Sequence, residues 1–206
     1  MSLIKKYMAQ TRKPKGFLGK IKIKRMNASH AKLAAWGRST LPEIAPKNIA
    51  ELGCGGGMNI RALLDEYKDS FVSAIDYSPL SVAEAKKNNK GHTNRCEIMQ
   101  DDVSKLSLEK DSYDLATAFE TVYFWPGIKD CFTNVYNILK KGGYFLIVNE
   151  LSGDDKEEGE KYEALIEGLK VYSPKELEDA LYAADFSEVK ITKHDEKPWF
   201  TIIAKK

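Results

Sequence analysis

The run Ile49-Ala50-Glu51-Leu52-Gly53-Cys54-Gly55-Gly56-Gly57-Met58-Asn59 constrains the fold more than any other stretch of the chain. A short apolar strand pattern runs into glycines and then into a helical pattern over 58–67. Glycines at such a junction let the backbone turn tightly and approach a ligand where a β-carbon would clash. The helix start adds free N–H groups beside that ligand. The dinucleotide fingerprint G-x-G-x-x-G needs its third glycine at position 58, which is Met. The spacing is instead Glu-x-Gly-x-Gly-x-Gly, with an acid two residues ahead of the first glycine. Such an acid suits a cationic ligand and would repel a pyrophosphate.

From Pro46 onward strand and helix patterns alternate. Strands are expected at Asn48–Leu52, 71–75, 95–99, Tyr113–Phe119 and 144–149. Ser78-Pro79 caps a helix to about Asn89, with Pro at the first helical position. Ile128, Cys131, Phe132, Val135, Ile138 and Leu139 form one amphipathic face, expected to stop at Lys140-Lys141-Gly142-Gly143. Ser173-Pro174-Lys175-Glu176 is a capping box opening a helix to about Ala184. Two final strand patterns, Glu188–Lys193 and 199–204, are joined by a link too short for a helical crossover, so they form an antiparallel hairpin. The sum is an α/β chain with a Rossmann-like, doubly wound, mostly parallel sheet, a C-terminal antiparallel hairpin and an N-terminal helical cap. Residues 1–45 read as a basic arm and cap helix, and 46–206 as the ligand-binding domain. Within the cap, 27–40 reads as one helix, with Asn27 or Ser29 capping it and Gly37 ending it. Glu150, ending the fifth strand, and the acidic stretch 154–160 are expected to form a mobile flap near the cleft, with the composition of a solvated loop.

The glycine segment resembles motif I of the class I S-adenosylmethionine (SAM)-dependent methyltransferases. That resemblance implies that the backbone of Gly53, Cys54, Gly55 and Gly57 wraps the methionine part of SAM and that Glu51 holds its amino group. Three further segments match in order. In Ala74-Ile75-Asp76-Tyr77-Ser78, Asp76 is expected to take the ribose hydroxyls through its two acceptor oxygens, with Tyr77 beside it. Met99-Gln100-Asp101-Asp102-Val103 is similar to the segment that grips adenine. Asp102 and Val103 align with its acid and backbone donor, although Asp101 also qualifies. Tyr113-Asp114-Leu115-Ala116-Thr117-Ala118-Phe119-Glu120 resembles motif IV, which brings Phe119 near the sulfonium. The edge hairpin, which nucleotide dehydrogenases usually lack, completes the match. The implied activity is methyl transfer to a small-molecule oxygen, nitrogen or carbon nucleophile, yielding S-adenosylhomocysteine.

SAM carries its own leaving group, so transfer can run largely on proximity and alignment. A base is needed only where the acceptor must lose a proton. The segment Glu120-Thr121-Val122-Tyr123-Phe124-Trp125-Pro126 offers Glu120 to accept a proton or meet a cation, and Tyr123 to orient the acceptor. Phe124 and Trp125 read equally well as pocket wall and as core. The run from Met26 to Gly37 resembles the N-terminal helix of a large group of bacterial and archaeal methyltransferases, in which it caps the cleft. His30 is therefore a candidate general base, and Trp36 a packing residue.

Composition narrows the partners. No acidic residue precedes Glu43, while that stretch holds eight lysines and three arginines, so all 30 acids lie from Glu43 onward. A basic arm of this kind suits an anionic substrate, RNA, a membrane surface or the chain's own acidic body, which keeps an RNA methyltransferase as an alternative. The lack of an unmistakable catalytic residue keeps a non-catalytic SAM-binding protein as another. An Asp or Asn followed by Pro-Pro and an aromatic, the nucleobase-amine motif, is absent from the sequence. Cys54, Cys96 and Cys131 are scattered and form no metal-ligand or redox spacing, so no metal is expected and a reducing cytoplasm suits them. No apolar run approaches the ~20 residues needed to span a bilayer, and the N-terminus has no signal-peptide pattern.

Overall fold

The computed structural model describes residues 7–206; the first six residues of the basic arm lie outside the described part. A seven-stranded sheet carries the order β3-β2-β1-β4-β5-β7-β6. Its strands are β1 Asn48–Leu52, β2 Phe71–Asp76, β3 Cys96–Gln100, β4 Tyr113–Phe119, β5 Leu139–Asn149, β6 Glu188–Lys193 and β7 Phe200–Lys205. The first five run parallel, and β7 pairs antiparallel with both β5 and β6. The strand order reverses direction at β1 and β4, both of which point their carboxyl ends toward one edge of the molecule. Ligands of doubly wound sheets bind at such a switch point.

Helices cover both faces because successive strand residues face opposite ways. Ala50, Ala116, Phe145 and Ile147 point toward α5 (Ile128–Ile138) and α7 (Pro174–Tyr182), where they meet Phe132, Val135, Leu177 and Leu181. Ile49, Leu115, Leu146 and Val148 face the other layer. That layer holds α2 (Ala31–Ser39), α3 (Met58–Glu66) and α4 (Pro79–Asn88), which contribute Leu33, Leu63 and Ala85. Among the described residues no helix is long and apolar enough to cross a membrane.

The expected caps form. The Ser78 hydroxyl accepts from the Ser81 amide at 3.3 Å, and Ser173 and Glu176 close their capping box in both directions. Four local expectations need correction. The segment 27–40 is not one helix. Residues Gly16–Ser29 form α1, α2 follows, and His30 is the joint. Asn27 and Ser29 therefore sit in the last turn of α1, and the Ser29 hydroxyl donates back to the Met26 carbonyl. Gly37 does not end α2 but lies inside it, because a β-carbon there would stand 2.6 Å from Cγ1 of Val148. The helix needs that glycine to lie flat on β5.

The lysines and glycines at 140–143 do not stop α5 either. The helix ends at Ile138, and β5 begins at once, with Leu139 paired to Tyr113 and a register shift before Leu115. The 154–160 stretch is largely exposed but is not a loop, since α6 covers Lys156–Leu165. Asp155 caps it by accepting from the Glu158 amide at 3.0 Å, and Glu157 and Glu158 in its first turn complement the helix dipole. Glu157, Glu160 and Glu163 face water and Glu158 lines the cavity, while Tyr162 and Leu165 pack beside Tyr123, Ile166 and Leu169.

Candidate functional site

One large cavity, of about 760 Å³, opens at the carboxyl ends of β1, β2 and β4. Its floor is the glycine loop. The amides of Gly53 and Cys54 both donate to the Ile75 carbonyl, at 2.8 and 2.9 Å, tying the loop to β2. Gly53 adopts φ +81°, and a β-carbon on it would stand 2.8 Å from Cβ of Thr121. Gly57, at φ +79°, starts α3 in a left-handed conformation that favours glycine. The β-carbon position of Gly55 meets nothing within 4 Å, so the loop presents bare backbone to open space.

Glu51 lies beneath this loop and is 1% exposed. One carboxylate oxygen accepts the Thr117 hydroxyl, and the other, Oε1, is buried without a hydrogen-bond partner. Burial pushes its pKa up to about 8, offset in part by Thr117, Arg38 and Asn59. Arg38 and Asn59 line the cavity. A buried acceptor lacking a donor is costly unless a ligand supplies one.

Asp76 closes β2 and organises the next part of the wall. Its Oδ2 accepts the Gly55 amide at 2.9 Å and its Oδ1 the Ser78 amide at 2.8 Å. Burial raises its pKa against the pull of those two amides. Tyr77 follows, its hydroxyl donating to the Arg12 carbonyl and its ring lying 5.5 Å from the Lys13 ammonium. The two neighbouring acids are no longer equivalent. Both oxygens of Asp101 serve their own turn, one accepting from the Asp102 amide and the other from the Ser107 amide and hydroxyl. Asp102 spends only Oδ1, on Ser104, and caps the single turn Val103–Lys105. Both acids and Val103 line the cavity.

The far end of the cavity is built on the carboxyl ends of β4 and β5. Phe119 is the last residue of β4, and Glu120 then turns back with φ +57°, unusual for a non-glycine residue. Its amide donates to the Val148 carbonyl at 2.9 Å. Its Oε1 accepts the Tyr123 hydroxyl at 3.0 Å and the Glu150 amide. The Tyr123 oxygen in turn accepts the Leu151 amide at 2.9 Å. Nε2 of His30 stands 3.9 Å from Oε2 of Glu120. Burial pushes Glu120 to a pKa of about 8 and lowers that of His30, which the Glu150 charge partly opposes. The indole N–H of Trp199 points at Glu150 Oε1 from 3.4 Å.

The structure thus brings His30, Glu120 and Tyr123 to one end of the cavity and Gly53, Cys54, Gly55, Asp76, Tyr77, Asp101, Asp102 and Val103 to the other, with Phe119 between. Glu51 and Gly57 stand just behind the loop. Trp125 proves mainly core, stacked on Phe145 at 6.1 Å and edge-on to Phe132 at 6.0 Å. Phe124 packs edge-on to Tyr123. Trp36 is a packing residue, tilted against His194 and Trp199. Sequence reasoning missed Arg38, Asn59, Ile166 and Leu169 as lining residues, and it placed Glu150 only near the cleft. The arm also was missed as a wall: Met8, Thr11 and Arg12 roof the cavity.

Residues 49–143 match a family described as a methyltransferase domain. The malonyl-[acyl-carrier protein] O-methyltransferase of Bacillus cereus is 30% identical over 106 residues, covering 50% of this chain and 38% of that protein. The chain spans less than half the length of the curated relatives it matches. Two solved structures share the fold. One is a chain of the complex between the Haloferax volcanii Trm112 methyltransferase activator and a protein described as a methyltransferase. It has a TM-score of 0.80 at 18% identity and matches 100% of this chain and 98% of that one. The other is human N-acetylserotonin methyltransferase in complex with SAM, with a TM-score of 0.73 at 17% identity, matching 89% of this chain and 54% of that one.

Proposed function

We propose that this chain, whose residues 49–143 carry the methyltransferase domain on a class I methyltransferase fold, moves the methyl group of SAM to a small-molecule nucleophile. The observation that carries the proposal is the buried, unpartnered Glu51 oxygen beneath a glycine loop that leaves Gly55 open. A cationic amino group supplies the missing donor and the missing charge, which no anionic dinucleotide does. SAM, when bound, supplies an electrophilic methyl group on a sulfonium.

The chain's own residues divide the remaining work. Glu51 holds the amino group, and the backbone of Gly53, Cys54, Gly55 and Gly57 shapes the bed beneath the methionine part. Asp76, with lone pairs left on both oxygens, accepts the ribose hydroxyls, and Tyr77 packs beside it. Asp102 and Val103 meet the adenine edge, because Asp101 is consumed by its own turn. Phe119 then sets the methyl group toward the end of the cavity that holds His30, Glu120 and Tyr123. These three hold the acceptor and draw on its proton, and Tyr123 acts through Glu120 as well as on the acceptor.

A cavity of this size lies in the upper part of the ~300–1,000 Å³ range of small-molecule sites and has room for two small ligands side by side. Met8, Tyr162, Ile166 and Leu169 give its acceptor end an apolar roof. The arm favours a small enclosed acceptor over RNA, since it folds onto the body at this point, the Arg12 carbonyl accepting the Tyr77 hydroxyl and the Lys13 ammonium lying over the Tyr77 ring.

Isothermal titration with SAM and S-adenosylhomocysteine tests the cofactor, with Asp76→Ala as the control. Micromolar binding that collapses in the variant is expected. A folded protein that gives no heat with either ligand would sink the proposal. Screening phenols, amines and quinones follows, and SAM binding with no turnover on any acceptor or RNA would reduce the chain to a binding protein.

A further inference from the structure

We infer that His30, Glu120 and Glu150 form a divalent metal site at the acceptor end of the cavity, a deepening that rests on the methyltransferase proposal. One donor atom from each residue lies within 4.8 Å of the others, and all three residues line the cavity. Donors bound to one ion at ~2.1 Å stand at most ~4.2 Å apart, so small carboxylate rotations close the set. Nε2 of His30 and Oε2 of Glu120 already meet that limit at 3.9 Å.

The support around the three ligands is the kind that metal centres use to aim their first ligands. Oε1 of Glu120 is held by the Tyr123 hydroxyl and the Glu150 amide, and Oε1 of Glu150 faces the Trp199 indole. No hydrogen bond among the described residues engages Oε2 of either carboxylate. One oxygen of each carboxylate and one imidazole nitrogen therefore converge from β4, β5 and the α1–α2 joint. Two half-buried carboxylates held this close repel each other unless one keeps a proton or a cation lies between them, and a cation displaces that proton.

One nitrogen and two oxygens suit zinc, manganese or iron better than magnesium or a thiophilic ion. Three protein ligands leave open positions toward the cavity. Those positions would take an oxygen of the acceptor, which points to a phenol, enol or carboxylate class. An ion there lowers the pKa of a bound hydroxyl and orients its oxygen.

The test uses the full chain stripped with a chelator and probed with Mn²⁺ by electron paramagnetic resonance and with Zn²⁺ by calorimetry. Expected is one ion per chain, bound at least tenfold more weakly by Glu150→Gln and by His30→Gln. Circular dichroism verifies that each variant is folded, and SAM affinity should change less than about twofold in both. No binding of either ion to the wild type, or equal binding to the wild type and both variants, would overturn the inference. If the ions bind as expected but SAM does not, the methyltransferase proposal fails while the metal site stands.

Discussion

Gly53 and Thr121 are packed so closely that the side chain following β4 occupies the space a β-carbon on the first loop glycine would need. The glycine loop is thus clamped from across the sheet. Gly53→Ala meets two obstacles, a φ of +81° and Cβ and Cγ2 of Thr121 at 2.8 and 3.0 Å. The backbone part alone costs about 1–2 kcal/mol. The variant should melt at lower temperature and bind SAM at least tenfold more weakly. Adding Thr121→Gly should restore part of the stability, because it removes the clash and leaves the φ strain. No recovery in the double variant would place the cost elsewhere.

Asp76 holds two amides, those of Gly55 and Ser78, with its two oxygens. Asn keeps only one acceptor oxygen, so Asp76→Asn leaves one amide facing an NH₂ group. Stability should fall by about 1–3 kcal/mol, as read from urea unfolding. SAM affinity should drop more than tenfold, and the two losses should appear in the same protein.

Glu51 makes a pH prediction with a definite sign. Its folded pKa of about 8 lies above its ordinary value of 4.5, so the folded chain keeps a proton that the unfolded chain has released. This contribution to stability is present below about pH 4.5 and is lost as pH rises toward 8. Glu51→Gln should flatten that part of the stability curve. Pairing with the SAM amino group favours the carboxylate, so binding at pH 7 should release a proton. Calorimetry in buffers of different ionisation enthalpy measures that release directly, and a zero proton count would contradict the pairing.

Tyr123→Phe removes the hydroxyl that donates to Glu120 and accepts from the Leu151 amide. SAM affinity should stay within about twofold while kcat falls on the order of 10–100-fold through misplacement of Glu120. An equal loss in SAM binding would instead mark Tyr123 as part of the cofactor floor.

Asp114, inside the segment resembling motif IV, lies at the end of β4 opposite the cavity. It accepts the Lys47 and Asn48 amides at 2.9 and 2.8 Å and the Lys140 ammonium at 2.8 Å. Lys140 and the two amides hold its pKa below the usual value despite partial burial. Its stabilisation is therefore present above the unfolded pKa and is lost as pH falls through the folded one. Asp114→Ala should cost about 2 kcal/mol in unfolding and leave SAM affinity unchanged.

Element order, the parallel sheet, the edge hairpin and the glycine-loop end of the cleft were readable along the chain. Asn48–Leu52 and Tyr113–Phe119 carry apolar runs bounded by turn residues, and Ser78 and Ser173 announce their helices by their own caps. Gly53 and Asp102 follow their strands by one and two residues and Asp76 closes its own, so local spacing places each at the carboxyl end of a strand. Local chemistry decides such features, and it is written in consecutive residues. Helix α6 escaped because its acidic surface hides the few apolar residues that anchor it, and Gly37 looked like a stop until β5 was laid against it. The meeting of His30 with Glu120 and Glu150 has no local signature. It depends on how the α1–α2 joint settles over β4 and β5, a contact between segments about 90 to 120 residues apart whose geometry only packing fixes.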